Sequence, residues 1–396
     1  MFLVNMSGFL TLLKNIPMEF ATMSRLFVGV FALFAITAFA CTSWVIAPDS
    51  SETGTYVVHK NRDWGKGKEI EVKLYFSQIK SAKYKVLAFS PYMLFNEKGL
   101  GIIDTSVPIT VDGPHNPQLT IGAVFNMVAH NCATVQEAID MLEKLVNEGQ
   151  KPKHNHFTMC DGKEVAVIEM TPGHIAYRKI SNGLSVHTNH YIFPEIAYWM
   201  KETSLEGRIK SGTRFLIAQD YLVRMRNEKG KIDFRDTLAL SRMRDNQKYP
   251  DMCPFRDSTV CAADYIASPE NPGLLSTLLI CPGPTRYAPA IPVPITIAKI
   301  PEILENGAFG KLAYQLKRAF TDKDDAEVIV KFNELEQRFL TEYWANFKEA
   351  KVCLDGGDKQ KFLDTVQALL DKQVEEAFTL MQDVLKSVTP PPKAEQ

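Results

Sequence analysis

Cys41 is the residue with the most chemistry to offer, because of what precedes it. An apolar run ends in Ala38-Phe39-Ala40, the small-x-small pattern that a signal peptidase cuts, so cleavage there would leave Cys41 as the first residue. A cysteine with a free α-amine is a complete catalytic unit. The amine has an ordinary pKa of about 7.7 to 8.0 and the thiol about 8.5, so near neutral pH the amine can take the thiol proton within one residue. An Asn-x-Asp motif, Asn61-Arg62-Asp63, follows about 20 residues on. The competing reading of Cys41 is a lipoprotein anchor, acylated on the same nitrogen, which would abolish the amine base. A lipid-attachment site prefers Leu where Ala38 stands and avoids a bulky aromatic where Phe39 stands, so the pattern favours the free amine.

The elements around Cys41 must bring distant residues back to it. Thr42 to Ala47 and Thr55 to Asn61 read as two strands of a hairpin turned by Pro48 to Gly54. Further strands are expected at Glu69 to Ser77, Lys85 to Phe89 and Gly101 to Ser106, the last two joined by a tight turn at Asn96-Glu97-Lys98-Gly99. Residues 120 to 148 change period: Thr134-x-x-Glu137 is a capping box, and Ala138, Ile139, Leu142, Leu145 and Val146 repeat at helical spacing. Strands return at Phe157 to Cys160, Glu164 to Met170, His174 to Lys179 and Leu184 to Asn189, punctuated by Asp161-Gly162, Pro172-Gly173 and Asn182-Gly183, which predicts a meander. Helices at Leu205 to Arg226 and Phe234 to Arg244 and strands at Thr259 to Ala267 and Leu275 to Cys281 complete a layered α+β pattern. From Ile300 the chain is helical, with one apolar stripe through Phe332, Leu335, Phe339, Tyr343 and Phe347 and another through Phe362, Val366, Leu369, Leu370, Val374, Phe378, Met381 and Leu385. These stripes read as packing surfaces, and Pro390-Pro391-Pro392 with the polar residues after it reads as a disordered tail.

Composition excludes some partners. Lys plus Arg number 45 against 46 Asp plus Glu, so net charge gives no reason to expect nucleic acid or an anionic membrane surface. Of two early apolar runs, Phe9 to Leu13 and Leu26 to Ala40, only the second follows a basic segment, Met23-Ser24-Arg25, and the start of translation is expected at Met18 or Met23. A membrane span needs about 20 apolar residues, more than this run supplies, and no later segment is apolar enough, so no stable membrane insertion is expected after the signal is removed. Seven cysteines are present. With Cys41 free, the pairing favoured is Cys253 with Cys281, which flank a hairpin; the alternative is that most are small buried hydrophobes. His154, His156 and Cys160 match no zinc spacing, and no phosphate loop or Gly-x-Ser-x-Gly elbow occurs, so neither metal nor cofactor is expected.

Several segments together resemble the choloylglycine hydrolase and penicillin acylase family of linear amide hydrolases, with the related penicillin acyltransferases and acid ceramidases. They are Cys41-Thr42-Ser43, Lys60-Asn61-Arg62-Asp63-Trp64, Asn96-Glu97-Lys98-Gly99-Leu100, the Thr134-Val135-Gln136-Glu137-Ala138 helix start, His187-Thr188-Asn189-His190-Tyr191 and Ser211-Gly212-Thr213-Arg214-Phe215. The resemblance runs from Cys41 to about Pro294. It implies that Cys41 is nucleophile and base and that Asp63 holds the amine by a charge-assisted hydrogen bond. Asn189 would donate to the oxyanion, a contribution on the order of 3 kcal/mol, and Arg214 would fix the site electrostatically, pairing with Asp63 or the substrate. The chain departs from the family in two places. Lys60 stands where the family has arginine, while Arg62 occupies a position that is usually apolar, so either Lys60 takes the role or Arg62 reaches in; Lys60 is preferred, although lysine lacks the planar fork. Ser106 stands where relatives often carry Asn or Tyr as a second oxyanion donor.

The resemblance thus implies a four-layer αββα N-terminal-nucleophile hydrolase fold with a C-terminal helical extension. Residues 1–40 would be a signal peptide, 41–299 the catalytic domain, 300–388 the helical extension and 389–396 the tail. The expected reaction is hydrolysis of a small-molecule N-acyl amide through a thioester, by an exported periplasmic or extracellular enzyme for which a homo-oligomer is left open. Trp64, Tyr92, Met93 and Phe95 near the motifs favour an apolar acyl group. Acyl transfer to a second amine, a dipeptidase of the same superfamily and the lipid-anchored binding protein are the alternatives.

Overall fold

The computed structural model describes residues 41–65, 68–107, 110, 118–201, 205–244, 252–321 and 324–388. The expected signal peptide over 1–40 and the expected tail over 389–396 lie outside them. The chain runs β1 (Thr42–Ile46), β2 (Tyr56–Asp63), β3 (Leu74–Ser77), β4 (Val86–Phe89), β5 (Met93–Asn96) and β6 (Gly101–Thr105), then α1 (Ile121–Asn131) and α2 (Val135–Asn147). Strands β7 (Asn155–Cys160), β8 (Val165–Met170), β9 (Ile175–Lys179) and β10 (Leu184–His187) follow, then α3 (Pro194–Ala197), α4 (Leu205–Lys229) and α5 (Phe234–Ser241). The last strands are β11 (Thr259–Ala267), β12 (Thr277–Cys281) after the single turn α6 (Pro272–Leu275), and β13 (Ile291–Pro294). Helices α7 (Glu302–Glu305), α8 (Ala308–Ala319), α9 (Ala326–Asp355) and α10 (Lys359–Val388) end the described chain.

The strands form two antiparallel sheets, one in the order β10-β1-β2-β11-β12-β13 and one a meander in sequence order from β3 to β9. Alternation along the strands sorts the core. In β4 and β8, Leu87, Phe89, Val165 and Val167 join Val45, Val58 and Tyr265 of the other sheet in one cluster. Their neighbours Val86, Ala88, Ala166 and Ile168 pack with Val124, Phe125, Ile139 and Leu142 of α1 and α2. The seven-stranded sheet is therefore covered on both faces, as period-two strands with apolar residues at every position require. On the far side of the six-stranded sheet, Leu238 of α5, Phe309 of α8, Phe332 and Phe339 of α9 and Met381 of α10 enter the same cluster. The four layers expected from the resemblance are the ones found.

The C-terminal helices carry the two stripes as expected: Phe332, Phe339 and Tyr343 on α9 and Phe362, Val366 and Val374 on α10 are buried. Three elements differ from the reading of the sequence. Strand β5 splits the expected β4-to-β6 connection, and the helical region 120 to 148 is two helices broken at Cys132 to Thr134. Strand β13 was not foreseen because two of its four residues, Pro292 and Pro294, cannot donate to a ladder; it holds an edge, where prolines are tolerated. The α2 cap is present, with Thr134 Oγ1 accepting from the Glu137 amide at 3.1 Å, while the Glu137 carboxylate accepts from the amide of Ala133 at 2.7 Å. Gly99 turns β5 into β6 with φ at +88°, and a Cβ there would lie 2.4 Å from the Pro272 side chain, so no other residue fits. None of the seven cysteines is bridged, which corrects the Cys253–Cys281 pairing: both are buried and free.

Candidate active site

Strand β2 is the spine of the site. It pairs with β1 on one side and β11 on the other, and all eight of its residues are buried. Alternation divides its polar residues between faces. Lys60 lies opposite Ser43, whose hydroxyl meets Thr105 of the other sheet at 3.1 Å, so Lys60 and Arg62 face the space between the sheets. His59, Asn61 and Asp63 face the helices: the Asn61 amide donates to the carbonyls of Ser241 and Pro254 at 2.9 and 3.0 Å, and His59 Nδ1 meets Asp264 at 2.9 Å.

Cys41 sits immediately before β1 and is 4% exposed. Its backbone nitrogen donates to Asn189 Oδ1 at 3.0 Å, and its carbonyl accepts from Arg214 Nη1 at 3.1 Å. The same guanidinium donates to Thr42 Oγ1 at 3.3 Å and, through Nη2, to Asn189 Oδ1 at 2.8 Å. Arg214 can do this because α4 directs Ser211, Arg214, Ala218 and Leu222 inward on one face. Ser211 Oγ accepts from the Asn189 amide nitrogen at 3.0 Å, fixing the residue just after β10. Asn189 Nδ2 donates one hydrogen to the carbonyl of Ser106 at 2.6 Å. An amide nitrogen carries two hydrogens, so one has no partner among the described residues and is left for a ligand.

Asp63 closes the cluster differently from expectation. Its carboxylate accepts from Thr259 Oγ1 at 2.6 Å and from Arg256 Nη1 at 3.2 Å and stands 3.9 Å from Arg214 Nη1. The Cys41 nitrogen is bonded to Asn189 and not to this carboxylate, and Asp63 meets Cys41 through its backbone N–H, which donates to the thiol. The cause is parity: the Asp63 side chain lies on the helix face of β2. Burial pushes the Asp63 carboxyl up from its ordinary value while Arg256 and Arg214 pull it down.

Burial likewise pushes the Cys41 thiol up, opposed first by Lys60, while Asp104 and Asp63 add to the rise. A resting thiol so placed needs a base to ionise it. Lys60 ion-pairs with Asp104, which also accepts from Asn155 Nδ2 at 3.3 Å, and donates to the carbonyl of Tyr92 at 3.3 Å. Lys60, not Arg62, is therefore the cation felt by the sulfur. Arg62 instead hydrogen-bonds Ser90 Oγ and lies against the rings of Trp64 and Tyr92, 5.1 and 5.3 Å from their centroids.

The structure thus brings together Cys41, Lys60, Asp63, Asn189 and Arg214. Reading the sequence missed Arg256, Thr259 and Asp104, none of which stands in a motif. Ser211 was legible only as the first residue of the Ser-Gly-Thr-Arg-Phe segment. His156, discounted as a metal ligand, lies between the sheets with its ring stacked on His187 at 4.2 Å.

No curated protein matches the sequence. Among solved structures, a penicillin V acylase from Agrobacterium tumefaciens matches with a TM-score of 0.37 and 15% identity over 65% of this chain and 86% of that one. Two variants of a conjugated bile acid hydrolase from Clostridium perfringens match with TM-scores of 0.43 and 0.44 and 16% and 15% identity, over 64% of this chain and 92% of theirs. These scores are low, and the assignment rests on the sequence. The model of one family, described as acyl-coenzyme A:6-aminopenicillanic acid acyl-transferase, matches residues 50–252, a segment that holds Lys60, Asp63, Asn189 and Arg214. That span is more than half of the chain, which belongs to this acyl-transferase family.

Proposed function

We propose that the protein is an exported amide hydrolase whose nucleophile is the Cys41 thiol and whose base is the α-amine freed when residues 1–40 are removed. The observation that carries this is the holding of Cys41 on every side: nitrogen to Asn189, carbonyl to Arg214, thiol to the Asp63 N–H. A buried residue before the first strand has no structural need of three such anchors. The activities named for the similar structures, on a penicillin and on a conjugated bile acid, support an N-acyl amide as substrate.

The proposed reaction runs through these residues. The amine takes the thiol proton, with Asn189 and Arg214 holding Cys41 in place for the transfer. The thiolate attacks the amide carbon, and the second Nδ2 hydrogen of Asn189 meets the developing oxyanion. The ammonium returns its proton to the leaving amine as the C–N bond breaks, leaving a thioester. Water, deprotonated by the same amine, then releases the acid and restores the thiol. Lys60 stabilises the thiolate, its charge moderated by Asp104. Capture of the thioester by a second amine instead of water is the alternative reading, favoured by the family's described acyl-transferase activity.

The test pairs N-terminal sequencing of the mature protein with activity of Cys41→Ser on a panel of N-acyl amides and dipeptides. Expected are Cys41 at the N-terminus, loss of activity in the variant by about 10³-fold or more, and cleavage of amides rather than dipeptides. A fully active enzyme that retains a residue before Cys41, or a Cys41 bearing lipid, would overturn the reading.

A further inference from the structure

Asn189 does two things at once, holding the Cys41 nitrogen and offering a hydrogen, yet it lies on an irregular turn just past β10, the edge strand of its sheet. Such a turn is soft unless something outside it fixes its shape. On one side Ser211 of α4 does so, meeting Thr188 Oγ1 at 3.0 Å and the Asn189 amide nitrogen at 3.0 Å. On the other side the turn closes on a buried carboxylate of the opposite sheet. In β8, Val165 and Val167 face the space between the sheets, and alternation puts Glu169 on that face with them, wholly buried.

Glu169 touches the turn both before and after Asn189. The backbone N–H groups of Ile192 and Phe193 donate to its Oε1 and Oε2 at 2.7 and 3.0 Å. Before Asn189, His187 sets Nε2 3.8 Å from Oε1, and that nitrogen has no hydrogen-bond partner among the described residues. Next to Glu169 on β8, the Met170 carbonyl accepts from the Tyr191 hydroxyl at 2.7 Å. Only a carboxylate offers two equivalent acceptors to two successive amides; a glutamine would accept one and set its own N–H groups against the other. A buried carboxylate is a costly way to staple a loop, so the precision it gives is the reason to look for at this position.

We propose that Glu169 is a positioning residue for the reaction: its carboxylate closes the Asn189 turn and so sets where the free Nδ2 hydrogen of Asn189 meets the oxyanion. It acts through Asn189 and not on the substrate, and the proposal rests on the reading of Cys41 as nucleophile. A displacement of about 1 Å at such a donor can cost about 10²-fold in rate. Charge strengthens the grip. Burial pushes the Glu169 carboxyl up to about 8, while the amides of Ile192 and Phe193 and then Arg178 pull it down and Glu195 adds to the rise. Facing it are His156, opposite it on β7, His187 on β10 with His190 beyond, Arg178 on β9 and Glu195 on α3. Burial holds all three histidines below their ordinary value, so they stay neutral while Glu169 titrates. As pH rises past about 8 the two amide bonds become charge-assisted and the turn is held more firmly.

The experiment measures kcat and KM of wild type, Glu169→Gln, Glu169→Asp, Asn189→Ala, Glu169→Gln/Asn189→Ala and Cys41→Ala on the N-acyl amide that wild type cleaves fastest. Glu169→Gln should lower kcat and leave KM within about 3-fold of wild type, with part of the loss recovered in Glu169→Asp, which keeps the charge. The ratio of wild-type to Glu169→Gln kcat cancels the titration of the shared α-amine. It should grow from about 3 near pH 6.5 to about 30 near pH 9.5, because glutamine cannot gain the charge. In the Asn189→Ala background the same change should cost less than about 2-fold, since the donor it positions is gone. If Glu169→Gln does not fold, Glu169→Asp takes its place in the cycle with Asn189→Ala, and the same lack of additivity is expected. A loss carried by KM, a ratio flat with pH, or an undiminished loss in the Asn189→Ala background would overturn the proposal. Cys41→Ala separates the two claims. If it is inactive while the Glu169 variants match wild type, only the positioning role fails; if it cleaves the amide, or wild type cleaves none, the nucleophile reading fails and the proposal with it.

Discussion

The grip on Asp63 can be measured directly. Its carboxylate accepts from Arg256 at 3.2 Å and stands 3.9 Å from Arg214, and all three residues are buried. At an effective dielectric constant near 20, opposite charges about 4 Å apart attract by about 4 kcal/mol, and removing one member of a buried pair costs about 3–5 kcal/mol because the other is stranded. Asp63→Asn strands two arginines and should lose about 3–5 kcal/mol. Arg256→Met leaves the carboxylate with Arg214 and Thr259 and should lose less, about 2 kcal/mol. Entropy of unfolding scales with length, so for about 350 residues each kcal/mol is worth about 1.5 °C, and Asp63→Asn should melt about 4–7 °C below wild type by calorimetry. The double variant should be little worse than Asp63→Asn alone, since the second change removes one of the stranded charges. Acidity adds a sign. The folded-state pKa of Asp63 is raised by burial, so the folded protein holds this proton longer than the unfolded chain, and stability from this group falls as pH rises above the ordinary 3.8 toward the raised value. Arg256→Met raises it further, so the deficit of that variant should grow from acid toward neutral pH. If the two losses simply add to within about 0.5 kcal/mol, the residues are uncoupled and the account of how Asp63 is held is wrong.

Other variants test other parts. Arg214→Lys cannot span the Cys41 carbonyl, Thr42 and Asn189 at once, and kcat/KM should fall by about 10²-fold or more while circular dichroism stays unchanged; near-normal rates would show that the fork is not needed. Lys60→Met removes the main influence lowering the thiol pKa, so alkylation of Cys41 by iodoacetamide, followed by peptide mass, should shift to higher pH; an unmoved or lowered profile would contradict it. Gly99→Ala forces a positive φ on alanine and a clash with Pro272, and should lose about 2–4 kcal/mol of stability, read by denaturant titration.

What the sequence disclosed followed the reach of its signals. Asp161-Gly162 and Asn182-Gly183 marked their turns because those glycines need a positive φ, +87° and +72° in the structure. The stripes of α9 and α10 were legible because helical period is a local property. Strand β5 was not, since Met-Leu-Phe-Asn has no alternation to separate a strand from any short apolar run. In the site, the motifs gave membership but not facing atoms. That Asn189 Oδ1 takes the Cys41 nitrogen, while Asp63 turns to Arg256, depends on which face of β2 each side chain occupies and on a partner 193 residues away.

The central claim is that chemistry passes through Cys41 as an N-terminal residue. Acid-quenching the enzyme during turnover of an N-acyl amide and measuring peptide masses tests it most directly. The prediction is one acyl group, removable by hydroxylamine, on the sulfur of a peptide whose first residue is Cys41. An acyl group on any other residue, or on a Cys41 still joined to Ala40, would contradict it.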